Sequence, residues 1–242
     1  MLDNRITRER TLLPDVVAIG GTCDGYQPAE AKYKNTRQCL EVLQKHHYPV
    51  ILSTKSDLVR RDLDVLSQIA QDTWCTVGVT ITTIDEEIAG FLEPQAPSPR
   101  ARLRVLEQIK NSCPTIQTGV NLIPIVPILC DNENNLDNMV STAKEAGADY
   151  VLFGGGMTMM DNQASFFLEK LGAHSHQLVD KYLRLYEGSY VTEHVYQGKC
   201  QPKSSYLKQL HNTMFGLCQR HKINCRIKRF IPPKITASTT TL

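Results

Sequence analysis

An apolar run from Val16 stops at Gly20-Gly21, and a loop dense in hydrogen-bonding side chains follows: Thr22, Cys23, Asp24, Tyr26, Gln27 and Glu30. Carboxylate and hydroxyl oxygens such as those of Asp24 and Thr22 are acceptors that suit an ammonium group, which has only donors to offer. The local alternative for Asp24 is an Asx turn that satisfies nearby backbone N–H groups. Similar groups close the later apolar runs. Lys55 and Ser56 follow "PVILST", giving a cation able to pair a carboxylate and a hydroxyl able to cap the next helix; a solvated lysine is the plain reading. Thr80 and Thr82 alternate and so share a face, while Thr83 stands three residues before Glu86 in the pattern of a capping box. Glu93, in "LEPQAPSP", and Arg102 on the following segment could form an ion pair that closes a site or simply fixes a loop.

Two further groups are weaker signals. Gly154–Gly156 could turn backbone N–H groups toward a phosphate. His211, Cys218, His221 and Cys225 fall on one rough helical stripe, but their spacing matches no familiar zinc site, and ordinary helix residues explain them.

The elements that position these residues alternate. Strands are expected at Val16–Gly21, Pro49–Thr54, Thr76–Thr82, "IQTGVNLIPIV" and "DYVLFGG". Between them come amphipathic helices at Glu30–His47 and Asp57–Gln71, a short one from Asp85 to Leu92, one capped by Ser98-Pro99 and running to Ser112, and one at Asn135–Ala146 stopped by Gly147. Five β-then-α units with strands apolar on both faces predict an α/β fold with a parallel sheet covered by helices. From Asn162 the rhythm changes to two long helical stretches, 162–186 and 202–221, with "EGSYVTEHVYQGK" between them. The expected division is 1–160, the β/α units, and 161–242, a helical extension with a basic tail. In parallel α/β folds ligands bind at the strand C-termini, so one mouth would collect all the polar groups above.

Composition narrows the field. Of 242 residues 41% are hydrophobic, enough for a buried core, and the net charge of +2 makes no strong claim on nucleic acid. Lys222, Arg226, Lys228, Arg229 and Lys234 form a basic end without the interleaved aromatics that stack bases. No run reads as membrane-spanning and the first residues lack a signal-peptide pattern, so a cytoplasmic protein is expected. Eight scattered cysteines, with no CxxC pair, then argue for free thiols, metal ligation or redox chemistry rather than a disulfide framework, and Cys39 reads as a buried, small hydrophobe on its helix.

The stretch "GGTCDGYQPAEAKYKNTRQCLEVL" resembles the "TDPYQPxExxxxLTRxCLE" segment of radical S-adenosylmethionine (AdoMet) proteins of the spore photoproduct lyase-like group. The resemblance continues in register through "YPVILSTKS", "VGVTITTIDEEI", "FLEPQAPSPRARLRVLEQI" and "ADYVLFGG", about Pro14 to Thr158. It implies a partial (β/α)6 TIM-like barrel lacking its first β/α unit. It also implies AdoMet and a [4Fe-4S] cluster as cofactors, and hydrogen abstraction from a substrate by a 5′-deoxyadenosyl radical. On this resemblance Thr22 and Asp24 face the AdoMet amino group, Lys55 its carboxylate with Ser56 capping, Thr80 and Thr82 its ribose or carboxylate, and Glu93 orients it. The family has proline where this chain has Gly25, and its cluster is held by CxxxCxxC, which is absent here; Cys23 alone cannot hold a cluster. The chain is therefore expected to be a truncated protein, one part of a split one whose partner carries the cluster motif, or a non-catalytic remnant acting as a scaffold. In the last case the basic tail and C-terminal helices would cover the apolar strand edge left by the missing unit. A phosphate-binding lyase using Gly154–Gly156 is a third reading.

Overall fold

The computed structural model describes residues 1–8, 15–186 and 199–232. Five parallel strands, β1 (Val17–Ile19), β2 (Val50–Thr54), β3 (Cys75–Thr80), β4 (Gln117–Leu122) and β5 (Tyr150–Phe153), form a sheet in sequential order. Sequential parallel order with right-handed crossovers sends every connecting helix to one face, the winding of a barrel rather than of a doubly wound sheet. The register sets the two faces. Val50, Leu52, Val77, Val79, Val120, Leu122 and Val151 point into the helices and belong to one buried apolar cluster. The opposite face carries Ser53, Thr76, Gly78, Thr80, Gln117, Gly119, Asn121 and Tyr150. The face toward the helices is therefore mainly apolar, whereas the other face mixes these polar residues with Ile51 and Leu152, so the strands are not apolar on both faces as expected.

Helices α2 (Glu30–Tyr33) and α3 (Asn35–Lys45) replace the single helix expected after β1, because Lys34 between them takes φ 53°. The inward face of α3 is Thr36, Leu40 and Leu43; Cys39 lies off that stripe and is exposed, which corrects its buried reading. After β2 a 3-10 turn, Asp57–Asp62, precedes α4 (Leu63–Asp72). Next come α5 (Glu86–Leu92), α6 (Pro99–Ser112), with Ser98 Oγ accepting from Ala101 N, and α7 (Glu133–Glu145), after which Gly147 sits at φ 86°. The cap of α5 is Asp85, which accepts from the N–H groups of Glu87 and Ile88; Thr83 Oγ1 accepts from Asp85 N instead of forming the expected capping box. A further helix, α1 (Leu2–Arg8), rests on α3, with Asp3 bonded to Lys45 and His46.

Beyond the sheet, β6 (Met159–Met160) pairs antiparallel with β7 (Lys199–Cys200). The expected long helix 162–186 is broken at Ser175 into α8 (Asp161–His174) and α9 (His176–Leu185), which share a small apolar cluster around Leu171, Tyr182 and Tyr186. Most of "EGSYVTEHVYQGK", and Lys234, lie outside the described residues. Helix α10 (Ser204–Arg220) packs on α7, and past it Asn224 bridges to Tyr150 while its carbonyl accepts from Val151 N. The described start of the tail thus meets the edge of β5 at Asn224, not that of β1 as expected. Among the described residues β1 pairs with β2 alone. No described helix is long and apolar enough to cross a membrane.

Candidate functional site

The first loop is sewn to the end of β2. Gly20 takes φ 90° with its backbone so close to Ser53 that a Cβ would lie 1.9 Å from the Ser53 carbonyl oxygen, so only glycine fits. Asp24 Oδ1 accepts from Tyr26 N (2.8 Å) and Thr54 Oγ1 (2.7 Å), and Oδ2 accepts from Lys55 N (2.7 Å). Thr54 Oγ1 accepts in turn from Ser56 N, and Ser56 Oγ from Leu58 N, capping the 3-10 turn. The density of polar side chains at this strand end has a structural purpose: Asp24 makes the Asx turn and a strut to the neighbouring strand. A carboxylate offers about four acceptor positions, so these three bonds leave it one more.

Beneath the loop lies a buried ionic cluster. Tyr26 is buried and donates to Asp62 Oδ2 (3.1 Å); Asp62 is 0% exposed and also receives Arg37 and Arg61. Burial works against ionisation of Asp62, but the Arg61, Arg37 and Tyr26 donors prevail and hold it below the usual carboxylate range. Glu30, also buried, is likewise held low against its desolvation by the N–H of Thr36 and by Arg61. Every charge in the cluster is paired, which is the condition for burying it.

The facing wall comes from the proline-rich loop after α5. Glu93 Oε1 lies 2.8 Å from Lys55 Nζ, and Oε2 lies 2.6 Å from Arg102 Nη1. Arg102 is 1% exposed; its Nε donates to the Pro97 carbonyl and its Nη1 to that of Thr80. One guanidinium therefore ties the loop to the end of β3, and one carboxylate joins that loop to the end of β2. Between the walls is a cleft of ≈ 560 Å³, lined by Asp24, Tyr26, Gln27, Lys55, Glu93 and Gln95 among others.

Of the residues singled out in the sequence, Asp24, Lys55, Ser56 and Glu93 meet in this cleft. Thr80 and Thr82 are not among the lining residues; Thr80 is tied to the Glu93 loop only through its carbonyl, which accepts from Arg102. Thr82 is buried, and its hydroxyl has no protein partner. Thr22 is exposed and is not among the lining residues. Gln27, one of the polar residues of the first loop, lines the cleft as well, and so does Gln95, which carries no charge or cap pattern that marks it in the sequence.

The phosphate reading of Gly154–Gly156 is not supported: a Cβ at Gly156 would meet Pro202, Tyr206 and Pro127, and one at Gly155 would meet Leu207, so the start of α10 and its approach pack on this turn. The His/Cys stripe separates as well. His221 bonds Asp137 (2.8 Å), His211 stacks edge-on against Phe153, and Cys218 is buried. No group of three or more His, Cys, Asp and Glu side chains able to hold a metal occurs among the described residues. The residues present therefore do not fit a [4Fe-4S] cluster, whereas the cleft, with a lysine, two carboxylates and hydroxyls, suits a zwitterionic amino acid moiety.

No known family profile matches the chain. An uncharacterized protein of Mycobacterium tuberculosis is 29% identical over 172 residues, 71% of this chain and 50% of that protein. An uncharacterized protein of Acidianus two-tailed virus is 32% identical over 139 residues, 56% of this chain and 44% of its own. The chain thus spans about half the length of the curated relatives it matches. Among solved structures, a spore photoproduct lyase variant superposes with a TM-score of 0.64 at 15% identity, covering 90% of this chain and 62% of that one. Another variant, solved with bound AdoMet and dinucleoside spore photoproduct, gives 0.64 at 14% identity with the same coverage. The α/β fold with its five-stranded parallel sheet therefore resembles part of the TIM-like barrel of spore photoproduct lyase.

Proposed function

We propose that this chain forms the AdoMet-binding wall of a radical AdoMet enzyme of the spore photoproduct lyase-like group, with the [4Fe-4S] cluster carried on a different segment or chain. The observation that carries this reading is the convergence of Asp24, Lys55 and Glu93, from three separately matched segments, on one cleft at the strand C-termini. Lys55 would receive the AdoMet carboxylate, Glu93 and the remaining acceptor position of Asp24 the ammonium, and the unpartnered Thr82 hydroxyl a ribose or base group. In radical AdoMet enzymes cofactor and cluster together supply a 5′-deoxyadenosyl radical that takes a hydrogen atom from substrate. This chain's share is to bind and orient: Arg102 and Glu93 keep Lys55 aimed across the cleft, and the Asp24 strut holds the loop that walls it. The free edge of β1, where Ala18 is exposed, is where a strand from the cluster-bearing piece would pair. The same internal pairing favours a second reading, a non-catalytic binding protein, since Glu93 already forms ion pairs with Lys55 and Arg102.

Equilibrium dialysis of radiolabelled AdoMet against the chain separates the two. The enzyme reading expects saturable binding to one site, weakened about tenfold or more in Lys55→Ala by loss of a charge-assisted contact. Absence of saturable binding, or binding indifferent to Lys55→Ala, removes the proposal.

A further inference from the structure

The helix-free face of the sheet carries an unusual amide. Asn121 is 7% exposed on β4, opposite Thr80, and its side chain reaches across β3 to Ser53 on β2, with Nδ2 3.1 Å from Ser53 Oγ. The crossing requires glycine at 78: a Cβ there would lie 2.5 Å from Asn121 Nδ2. Below it Gly119 makes the same room for the Tyr150 ring, whose hydroxyl meets Thr76. Asn121 Oδ1 has no protein partner. Nδ2 has two hydrogens and only one is given to Ser53. Because a serine hydroxyl both donates and accepts, it satisfies one head of the amide in either orientation and leaves the other open. An acceptor left buried without a partner costs stability, so the group that completes Asn121 has to come from outside the chain's own side chains.

The surroundings define the ligand. The side chains of this face, Ser53, Thr76, Thr80, Gln117 and Tyr150, are neutral, and Ser53, Thr80 and Leu152 are half-buried, so the face is not sealed at its upper end. A neutral carboxamide with a free acceptor beside a free donor matches a ligand group of the same kind reversed.

We infer that the Asn121 carboxamide, held by Ser53 across Gly78, is the recognition group of a binding site on this face for a neutral ligand moiety pairing an N–H donor with a C=O acceptor, an amide or lactam. The inference goes beyond the AdoMet reading and stands without it. Two probes, 2-pyrrolidone and nicotinamide, are titrated into isotope-labelled chain without AdoMet, following the backbone amide resonances of Gly78 and Thr80 in every variant and the Asn121 side-chain NH2 resonances where Asn121 is present, with acetate as the charged control. Both amides should shift these resonances saturably, and acetate should not. Asn121→Leu should weaken amide binding about three- to tenfold, the worth of one or two neutral hydrogen bonds. Ser53→Ala leaves Asn121 in place but unheld, and should weaken binding about threefold in a chain whose core is untouched. Absence of saturable shifts, equal binding of acetate, or affinities unchanged in both variants would overturn the inference. A negative result here with AdoMet bound normally would leave the cleft assignment standing, and the converse holds too.

Discussion

Arg102 is the side chain whose loss should be felt most. Replacing it by methionine keeps the packed stem but removes three contacts: the ion pair to Glu93 and the bonds to the Pro97 and Thr80 carbonyls. Removing one member of a buried ion pair costs about 3–5 kcal/mol, because the other charge is left uncompensated. Glu93 is 11% exposed and keeps Lys55 at 2.8 Å, so the lower end, about 3 kcal/mol, is expected. With a urea m-value of about 2 kcal/mol/M the midpoint followed by far-UV circular dichroism falls by about 1.5 M. Arg102→Lys should recover little, since an ammonium cannot span a carboxylate and two carbonyls in the same fork. In a cycle with Glu93→Gln the two losses should be non-additive by about 0.5–3 kcal/mol, the range for residues in one ion-pair network. A loss below about 1 kcal/mol for Arg102→Met, the range of an exposed ion pair, would refute the view that this guanidinium anchors the wall.

Other outcomes follow from the same structure. Asp24→Ala should cost about 2–4 kcal/mol in urea unfolding, since three donors, two of them backbone N–H groups, lose their acceptor, whereas a residue present only for a ligand would change stability by about 0.5 kcal/mol or less. Asp62 and Glu30 ionise more readily folded than unfolded; their stabilisation is present above the unfolded values of about 3.9 and 4.3 and drains away as pH falls through the lower folded values. Urea midpoints between pH 5 and 3 should therefore drop steeply in the native chain and less steeply in Asp62→Asn; equal slopes would contradict the pairing. Anaerobic iron–sulfur reconstitution of the chain alone should leave it colourless; uptake of about four irons, the content of one [4Fe-4S] cluster, would show cysteine ligation that the structure does not contain.

The β/α alternation was legible because parallel strands and their helices write strong local patterns, and Ser98-Pro99 and Gly147 mark helix ends by their own chemistry. What eluded the sequence is non-local. Asp24 reads equally as ligand or strut until Thr54 and Lys55, thirty residues on, arrive beside it. The breaks at Lys34 and Ser175 interrupt segments whose apolar pattern runs through. Asn121 sits in "QTGVNL", where the alternation of Gln117, Gly119 and Asn121 hints at a polar face, but the need for glycine at 78 depends on which residue lies opposite. The C-terminal tail is expected on the β1 edge, whereas its described residues meet β5 at Asn224, a choice that strand pairing makes and composition does not.

A crystal structure of the chain with AdoMet bound tests the central claim most directly. The account predicts the methionyl carboxylate against Lys55 in the cleft between the Asp24 loop and the Glu93 loop. AdoMet seated elsewhere, or in this cleft with Lys55 still paired only to Glu93 and no contact to the carboxylate, would contradict it.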